Sequence, residues 1–452
     1  MSMTAGSVQL IDEAEELLEP RERALLRIAR VLLGGALANG AALALLLLLA
    51  LVGGIRLLPG YFATAQGLLA GGVPLAPDTA MAVVMLLLLA NAGLLLVLMT
   101  GVLAREFWAL PGLGLLLLVN LAGLLTAGLS LAVVTLVPGA WALALSLREA
   151  RSFRINPVMR KEFRGRMRGP RSFIVLSVFL GLMSAFTAML YLVFSSGTVQ
   201  GTGSAAVGAI GRVLFIGLVS IELLLVLFIA PAFTAGAITG EREFGTWDLL
   251  QTTLLVRPAL VIGKLESALG YILLLLFSSI PLQSIAFLFG GVTLTELVVS
   301  FAVLSVTAIA LGTLGIYFSA HTARTLTASM RAYTVALGLL FGIPLLLNLP
   351  LFNAFVNAAS GFGSGISGSP VLEAIFVYFG FLLVSLNPVA TALVTQQLLA
   401  DRNVAGLWTL VLSSDGSTIP LVSPWISLVV FYLLFSTILV ALAVRRMRKV
   451  EV

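Results

Sequence analysis

The chain has 452 residues, of which 60% are hydrophobic and only 10% charged, with a mean hydropathy of +1.12 and no cysteine. That balance excludes a soluble domain, and the missing thiols exclude a disulfide framework and a thiolate metal site. The formal charge of +6 and the pI near 10.0 do not indicate nucleic acid, because the basic residues cluster beside apolar segments, where they orient spans against a bilayer.

The first twenty residues, "MSMTAGSVQLIDEAEELLEP", are acidic and polar. They predict no cleavable signal peptide and insertion through the first span. Ile11, Ala14, Leu18, Leu25 and Ile28 approximate one helical face, and Arg21, Arg23, Arg27 and Arg30 follow the acidic part. Residues 1–30 therefore read either as an amphipathic helix lying on anionic headgroups or as a solvated charged leader. The arginines ahead of the first span favour a cytoplasmic N-terminus.

Residues 31–150 read as an additional N-terminal membrane region of three to four spans. Val31–Val52 and Ala80–Ala104 have single-span lengths and flank a Gly/Pro-rich loop from Pro59 to Asp78. The apolar run from Trp108 to Leu147 is about twice the length needed to cross as a helix. It makes either two short spans turning near Gly123–Gly128 or one span followed by a surface helix from Trp141. The charge rule favours two, because the next segment is basic.

That segment, Leu147 to Arg171, holds nine of the chain's 26 Lys and Arg against two Glu, and it anchors the topology in the cytoplasm. Arg160, Lys161, Arg164 and Arg168 belong to a helix that Asn156-Pro157 can start, and that helix should lie in the membrane surface. From this anchor the spans alternate: Ser172–Phe194, Val213–Ile238, Leu265–Phe289, Leu297–Ser319 and Ala332–Leu349. The basic loop at residues 321–331 falls inside, and residues 349–370, without Lys or Arg, fall outside. Ile426–Val444 precedes "RRMRKVEV", which demands an inside C-terminus. Parity then requires Val371–Leu399, broken at Asn387-Pro388, to be a re-entrant or surface pair covered by protein. The total is nine or ten spans, or eleven if Val371–Leu386 crosses.

Between two spans lies "GAITGEREFGTWDLLQTTLLVRP", Gly236 to Pro258, with Glu241, Arg242, Glu243 and Asp248. Trp247, Leu250 and Leu254 share one helical face, so the spacing predicts an amphipathic helix suited to docking a partner. Glu222, about ten residues into the preceding span, is an ionisable group near mid-membrane. It lines a pathway or subunit interface, or it hydrogen-bonds a neighbouring helix. Pro231 should kink that span.

Other chemistry is missing from the sequence. "GKLES" at Gly263 lacks the loop and the hydroxyl of a phosphate-binding G-x-x-x-x-G-K-[ST] motif. The single histidine, His321, falls in a basic loop, and "GISG" at Gly365–Gly368 lies in a plain flexible stretch.

The residues from Ala235 to Leu265 resemble a segment of the permeases of type-2 ABC (ATP-binding cassette) exporters. The resemblance is carried by Ile238, Glu241, Glu243, Gly245, Thr246, Leu249, Leu250 and the pair Gly263-Lys264. One departure is "TTLLVRP" where the family often has Thr-Pro and a short apolar turn. "NPVMRKEFRGRMRGPRSF", Asn156 to Phe173, is similar to the interfacial helix of these permeases.

The resemblance covers about Asn156 to Val444 and implies an all-α polytopic membrane protein. Its core, within residues 151–452, would have six spans, a coupling helix and a re-entrant pair. It implies an export permease working as a pair of copies, a homodimer on the simplest reading. Separate ATPase subunits would bind ATP and Mg, with no cofactor in this chain and no catalytic or metal-binding residue. Glu241, Arg242, Glu243, Gly245, Thr246, Trp247 and Leu250 would then form the coupling surface. Membrane lipid is the remaining expected partner.

The competing reading is an ion-coupled secondary transporter or channel, which should show paired broken spans and buried charges. A membrane enzyme would need a convergent polar site that the sequence does not supply. Arg outnumbers Lys 23 to 3, which with the Leu, Ala and Gly content suggests a prokaryotic cytoplasmic membrane.

Overall fold

Proline opens helix after helix in this chain. It stands at position one of the helices beginning at Pro20, Pro77, Pro157, Pro170, Pro370, Pro388 and Pro424, where its missing N–H has no partner to lose and its φ is already helical. The computed structural model describes residues 20–53, 77–127, 130–168, 170–197, 204–251, 256–342, 370–402, 406–411 and 418–449. They fall into two units, Met1–Asn156 with Val256–Leu260, and Pro157–Leu255 with Val261–Val452.

The first unit contains α1 (Pro20–Gly53), α2 (Pro77–Leu103), α3 (Ala109–Ala127) and α4 (Val133–Arg148), the last preceded by a 3-10 turn at Ser130–Ala132. Trp108–Leu147 is thus two helices, and the first ends at Ala127, within the expected Gly123–Gly128. The predicted boundary at Arg30 is absent, because α1 runs unbroken from Pro20. Leu25, Ile28 and Ala29 are buried in the core with Leu32, Leu95 and Leu113, while Arg23, Arg27 and Arg30 stay exposed. The earlier part of the expected surface helix, Gln9–Glu19, lies outside the described residues.

Apolar packing gives little helix–helix preference in lipid, and here polar pairs supply it. Asn91 and Asn120 exchange two amide hydrogen bonds of 2.8 and 3.0 Å, and Thr135 donates to Asn39 Oδ1 at 2.9 Å.

The second unit starts with α5 (Pro157–Met167) and α6 (Pro170–Gly197), then α7 (Ser204–Thr234). Two five-residue helices follow, α8 (Thr239–Glu243) and α9 (Trp247–Gln251), before α10 (Arg257–Leu288). Next come α11 (Leu294–His321), α12 (Thr325–Leu337), α13 (Pro370–Leu386) and α14 (Pro388–Arg402). The antiparallel strands β1 (Leu407–Val411) and β2 (Thr418–Val422) precede the last helix, α15 (Pro424–Lys449).

α11 is the axis of this unit, packed on α7 and α15, with Leu304, Leu311 and Leu314 meeting Leu223, Leu227, Ile272 and Leu276. Its start is fixed by a capping box, in which Glu296 N donates to Thr293 Oγ1 and Thr293 N donates to Glu296. Close backbone approach sets two other contacts. A Cβ on Gly315 would lie 2.0 Å from Thr234 Oγ1, and one on Gly211 would lie 2.2 Å from the Gly290 carbonyl oxygen.

Among the described residues seven helices are long and apolar enough to cross a bilayer: Glu22–Leu46, Ser130–Arg148, Ser172–Phe194, Val207–Glu243, Arg257–Leu288, Leu294–His321 and Pro424–Met447. The protein is therefore a helical, multi-pass membrane protein. Leu87–Leu103 and Ala109–Leu125 are shorter apolar helices within the expected N-terminal spans.

The expected span Ala332–Leu349 differs. Its helix begins at Thr325, ends in a π-helical turn over Gly338–Gly342, and residues 343–349 lie outside the described ones.

Val377–Leu386 and Pro388–Leu399 meet at 114°, broken at Asn387. The break leaves backbone groups without helical partners, and side chains take them up. Asn387 Nδ2 donates to the carbonyls of Leu339 and Leu340 at 3.0 and 2.7 Å, inside the π turn. Asn387 Oδ1 accepts from Ala390 N at 2.9 Å, and the Tyr432 hydroxyl donates to Leu386 O at 2.8 Å. Irregular backbone is tolerated in such a place when protein covers it.

Candidate functional site

The loop from Ala235 to Val256 joins two spans, α7 and α10. Gly245, at φ +68°, ends α8 after Glu243, and the helix that the spacing of Trp247 and Leu250 predicts follows it as the short α9. Leu254 lies outside the described residues.

The loop's first residues are pinned to the end of α11. Ile238 N and Thr239 N both donate to Ser319 Oγ, at 2.9 and 3.0 Å, and Thr239 Oγ1 lies 2.9 Å from Thr325 Oγ1.

Three consecutive charges of the loop then reach three different elements. Lys264 Nζ on α10, only 3% exposed, lies 2.9 Å from Glu241 and 2.7 Å from Glu162 of α5. Ser267 Oγ donates to the other oxygen of Glu162 at 3.1 Å, and Thr246 Oγ1 donates to Glu241 Oε2. Arg242 donates to the Thr322 and Ala320 carbonyls at 2.8 and 3.4 Å, and its guanidinium lies 5.1 Å from the centroid of the Trp247 ring. Glu243 accepts from Thr325 N and Oγ1, both at 2.7 Å, and so caps α12.

The residues of the expected coupling surface differ in exposure. Glu241, Arg242 and Glu243 face other elements of the chain, Trp247 is 8% exposed beneath Arg242, and Leu250 is half-buried. Gly245 and Thr246 form the turn. The side chains that stand out are Phe244, 84% exposed, and Leu249, 73% exposed.

Arg160, Lys161 and Arg164 are exposed along α5 and Arg168 is exposed just beyond its end, while Val158 is buried and Phe163 packs on Gly270, where a Cβ would lie 3.0 Å from its ring. Arg446 of α15 lies close enough to Arg242 to repel it. The basic helix, the inter-span loop, the α11–α12 turn and the basic C-terminal helix end therefore gather at one end of this unit. Sequence reasoning quoted Lys264 but gave it no role, and it missed Glu162, Ser319 and Thr325. The available signals were a lone cation in an apolar helix and a lone acid in a basic run.

Glu222 sits elsewhere, fully buried on α7, with Gln283 Nε2 of α10 donating to it at 2.6 Å. It is thus hydrogen-bonded to a neighbouring helix of its own chain. Replacing Glu222 by Leu should leave the buried amide of Gln283 unpaired and destabilise the protein by about 1–3 kcal/mol. Glu222→Gln, which preserves a pairing partner, should change stability far less. Unfolding curves of the full chain in detergent distinguish the two, and equal losses would mean that the hydrogen bond is unimportant.

Among the described residues no group of three or more His, Cys, Asp or Glu could hold a metal ion. No family model, curated protein or solved structure matches this chain.

Proposed function

We propose that the chain is the permease subunit of a type-2 ATP-binding-cassette exporter. It would sit in a prokaryotic cytoplasmic membrane as one of two copies, moving a substrate outward with ATP and Mg held by separate ATPase subunits. One observation carries the reading. The loop between two spans exposes an apolar tip, Phe244 and Leu249, while Lys264 and its two glutamates, Arg242 and Glu243 tie the base of that tip to α5, α10, α11 and α12. A push on the tip cannot remain local. The likeness of Ile238–Lys264 to the coupling segment of such permeases supports the same conclusion.

The test uses the tip and not the charges, because substituting Glu243 would uncap α12. The tagged chain is co-expressed with a candidate cassette ATPase and captured in mild detergent, beside a Phe244→Asp, Leu249→Asp variant. The parent should retain the ATPase, and the variant should lose at least about tenfold of it, as expected when apolar anchors at an interface are replaced by charge. Equal retention by both would sink the docking assignment.

The second reading, an ion-coupled transporter or channel, is favoured by the buried Glu222–Gln283 pair. It predicts gradient-driven transport by this chain alone, abolished by Glu222→Gln.

A further inference from the structure

Between α5, α6, the end of α7 and α10 lies an open cleft of about 750 Å³. Its walls include Arg166, Arg168, Ser172, Val175, Phe233 and Tyr271. The polar and apolar parts are separated in kind. Arg166 stacks over Phe233 at 5.2 Å and makes one long bond, 3.4 Å, to the Phe233 carbonyl. Its remaining contact is Glu162 at 4.0 Å, so most of its five N–H donors are uncommitted. The Arg168 side chain is exposed and has no protein partner among the described residues.

The wall also contains Glu162, but that carboxylate is engaged at 2.7 Å by Lys264 and at 3.1 Å by Ser267. Both of its oxygens are engaged before any ligand arrives. The Ser172 hydroxyl donates to Arg166 O, and Tyr271 donates to Ser172 O at 3.3 Å, which fixes the turn from α5 into α6 around the two guanidiniums.

The apolar part leads out of the cleft. Val175 belongs to the exposed face of α6, together with Phe173, Ile174, Val178 and Leu182, each at least 40% exposed. That helix is one of the membrane-spanning segments. A ligand with its anion at Arg166 and Arg168 would therefore lay its tail along a lipid-facing surface.

From this geometry we propose that the cleft is a binding site for the phosphate of an anionic glycerophospholipid. Planar guanidiniums match phosphate oxygens bidentately. Among the described residues no uncommitted carboxylate lines the cleft to receive a choline or ethanolamine cation, so the site selects net negative headgroups. The site does not depend on the exporter reading, only on a membrane location.

Native mass spectrometry of the delipidated full chain in detergent tests it, with phosphatidylglycerol, phosphatidylcholine and inorganic phosphate as probes. One phosphatidylglycerol per chain should be held about tenfold more tightly than phosphatidylcholine, and millimolar phosphate should not displace it. Each guanidinium near a lipid surface is worth about fivefold in affinity, so Arg168→Gln should weaken binding by that factor without shifting the unfolding temperature. An Arg166→Gln, Arg168→Gln double variant should lose at least about tenfold. Arg160→Gln with Arg164→Gln, the same charge change outside the cleft, should retain the lipid. Three results would each overturn the proposal: equal affinity for both lipids, equal loss in the two double variants, or displacement by free phosphate, which would mark a soluble-anion site. Because the Arg168 side chain has no partner among the described residues, unchanged binding in its single variant would overturn the site even if Arg166 variants fail to fold.

Discussion

Lys264→Met should lower the apparent unfolding temperature of the full chain more than any other single surface-preserving substitution. The ammonium stands between Glu162 and Glu241, at 2.7 and 2.9 Å, and is 3% exposed. Removing one member of a buried ion cluster leaves the others uncompensated and costs about 3–5 kcal/mol when burial is complete. Glu162 and Glu241 retain 22% and 30% side-chain exposure, which places the loss near the lower bound, about 3 kcal/mol. In a unit of roughly 290 residues that corresponds to a drop of roughly 5 °C. The decisive comparison is a triple variant, Glu162→Gln, Glu241→Gln, Lys264→Met. Removing all the charges together leaves nothing unbalanced, so most of the stability should return. If the single variant melts with the parent, the cluster does not hold α5 to the loop.

Gly291→Ala is the second large effect, and it has a built-in control. Gly291 has φ +78°, and a Cβ there would lie 2.1 Å from the Gly208 carbonyl oxygen. Left-handed backbone costs an L-residue about 1–2 kcal/mol, and overpacking adds about 1–3 kcal/mol, for a total of about 2–5 kcal/mol. Gly290 shares the backbone conformation, at φ +82°, but a Cβ on it meets nothing within 4 Å. Gly290→Ala should therefore show only the conformational part, about 1–2 kcal/mol. Detergent-based unfolding of the two variants separates strain from crowding. Equal losses would mean that the contact between α7 and the α10–α11 turn relaxes freely.

What could be read in the sequence follows from which forces are local. Ser172–Phe194 was legible to the residue, because apolar run length alone decides a span. The break at Asn387-Pro388 was legible because proline cannot continue a helix. Its stabilisation was not, since Asn387 bonds to carbonyls 47 and 48 residues away.

The short helix at Trp247–Gln251 was legible too, because Gly245, at positive φ, ends α8 and the helical spacing of Trp247 and Leu250 begins after it. The cluster around Lys264 joins residues 102 and 23 positions apart, beyond any local rule. The hairpin of β1 and β2 was missed for a different reason. Its strands are five residues each, and Pro420 sits within the second, opposite Thr409, where it argues against a strand in sequence.

The gathering of basic residues at one end of the second unit has an electrical consequence. Moving one positive charge across a membrane against an interior-negative potential is worth about 2.3 kcal/mol per 100 mV. Arg160, Lys161, Arg164, Arg168 and Arg446 share that end, so the potential itself holds the molecule in one orientation after insertion. Copies in one bilayer then stand the same way up, and every Phe244 points to the same aqueous compartment.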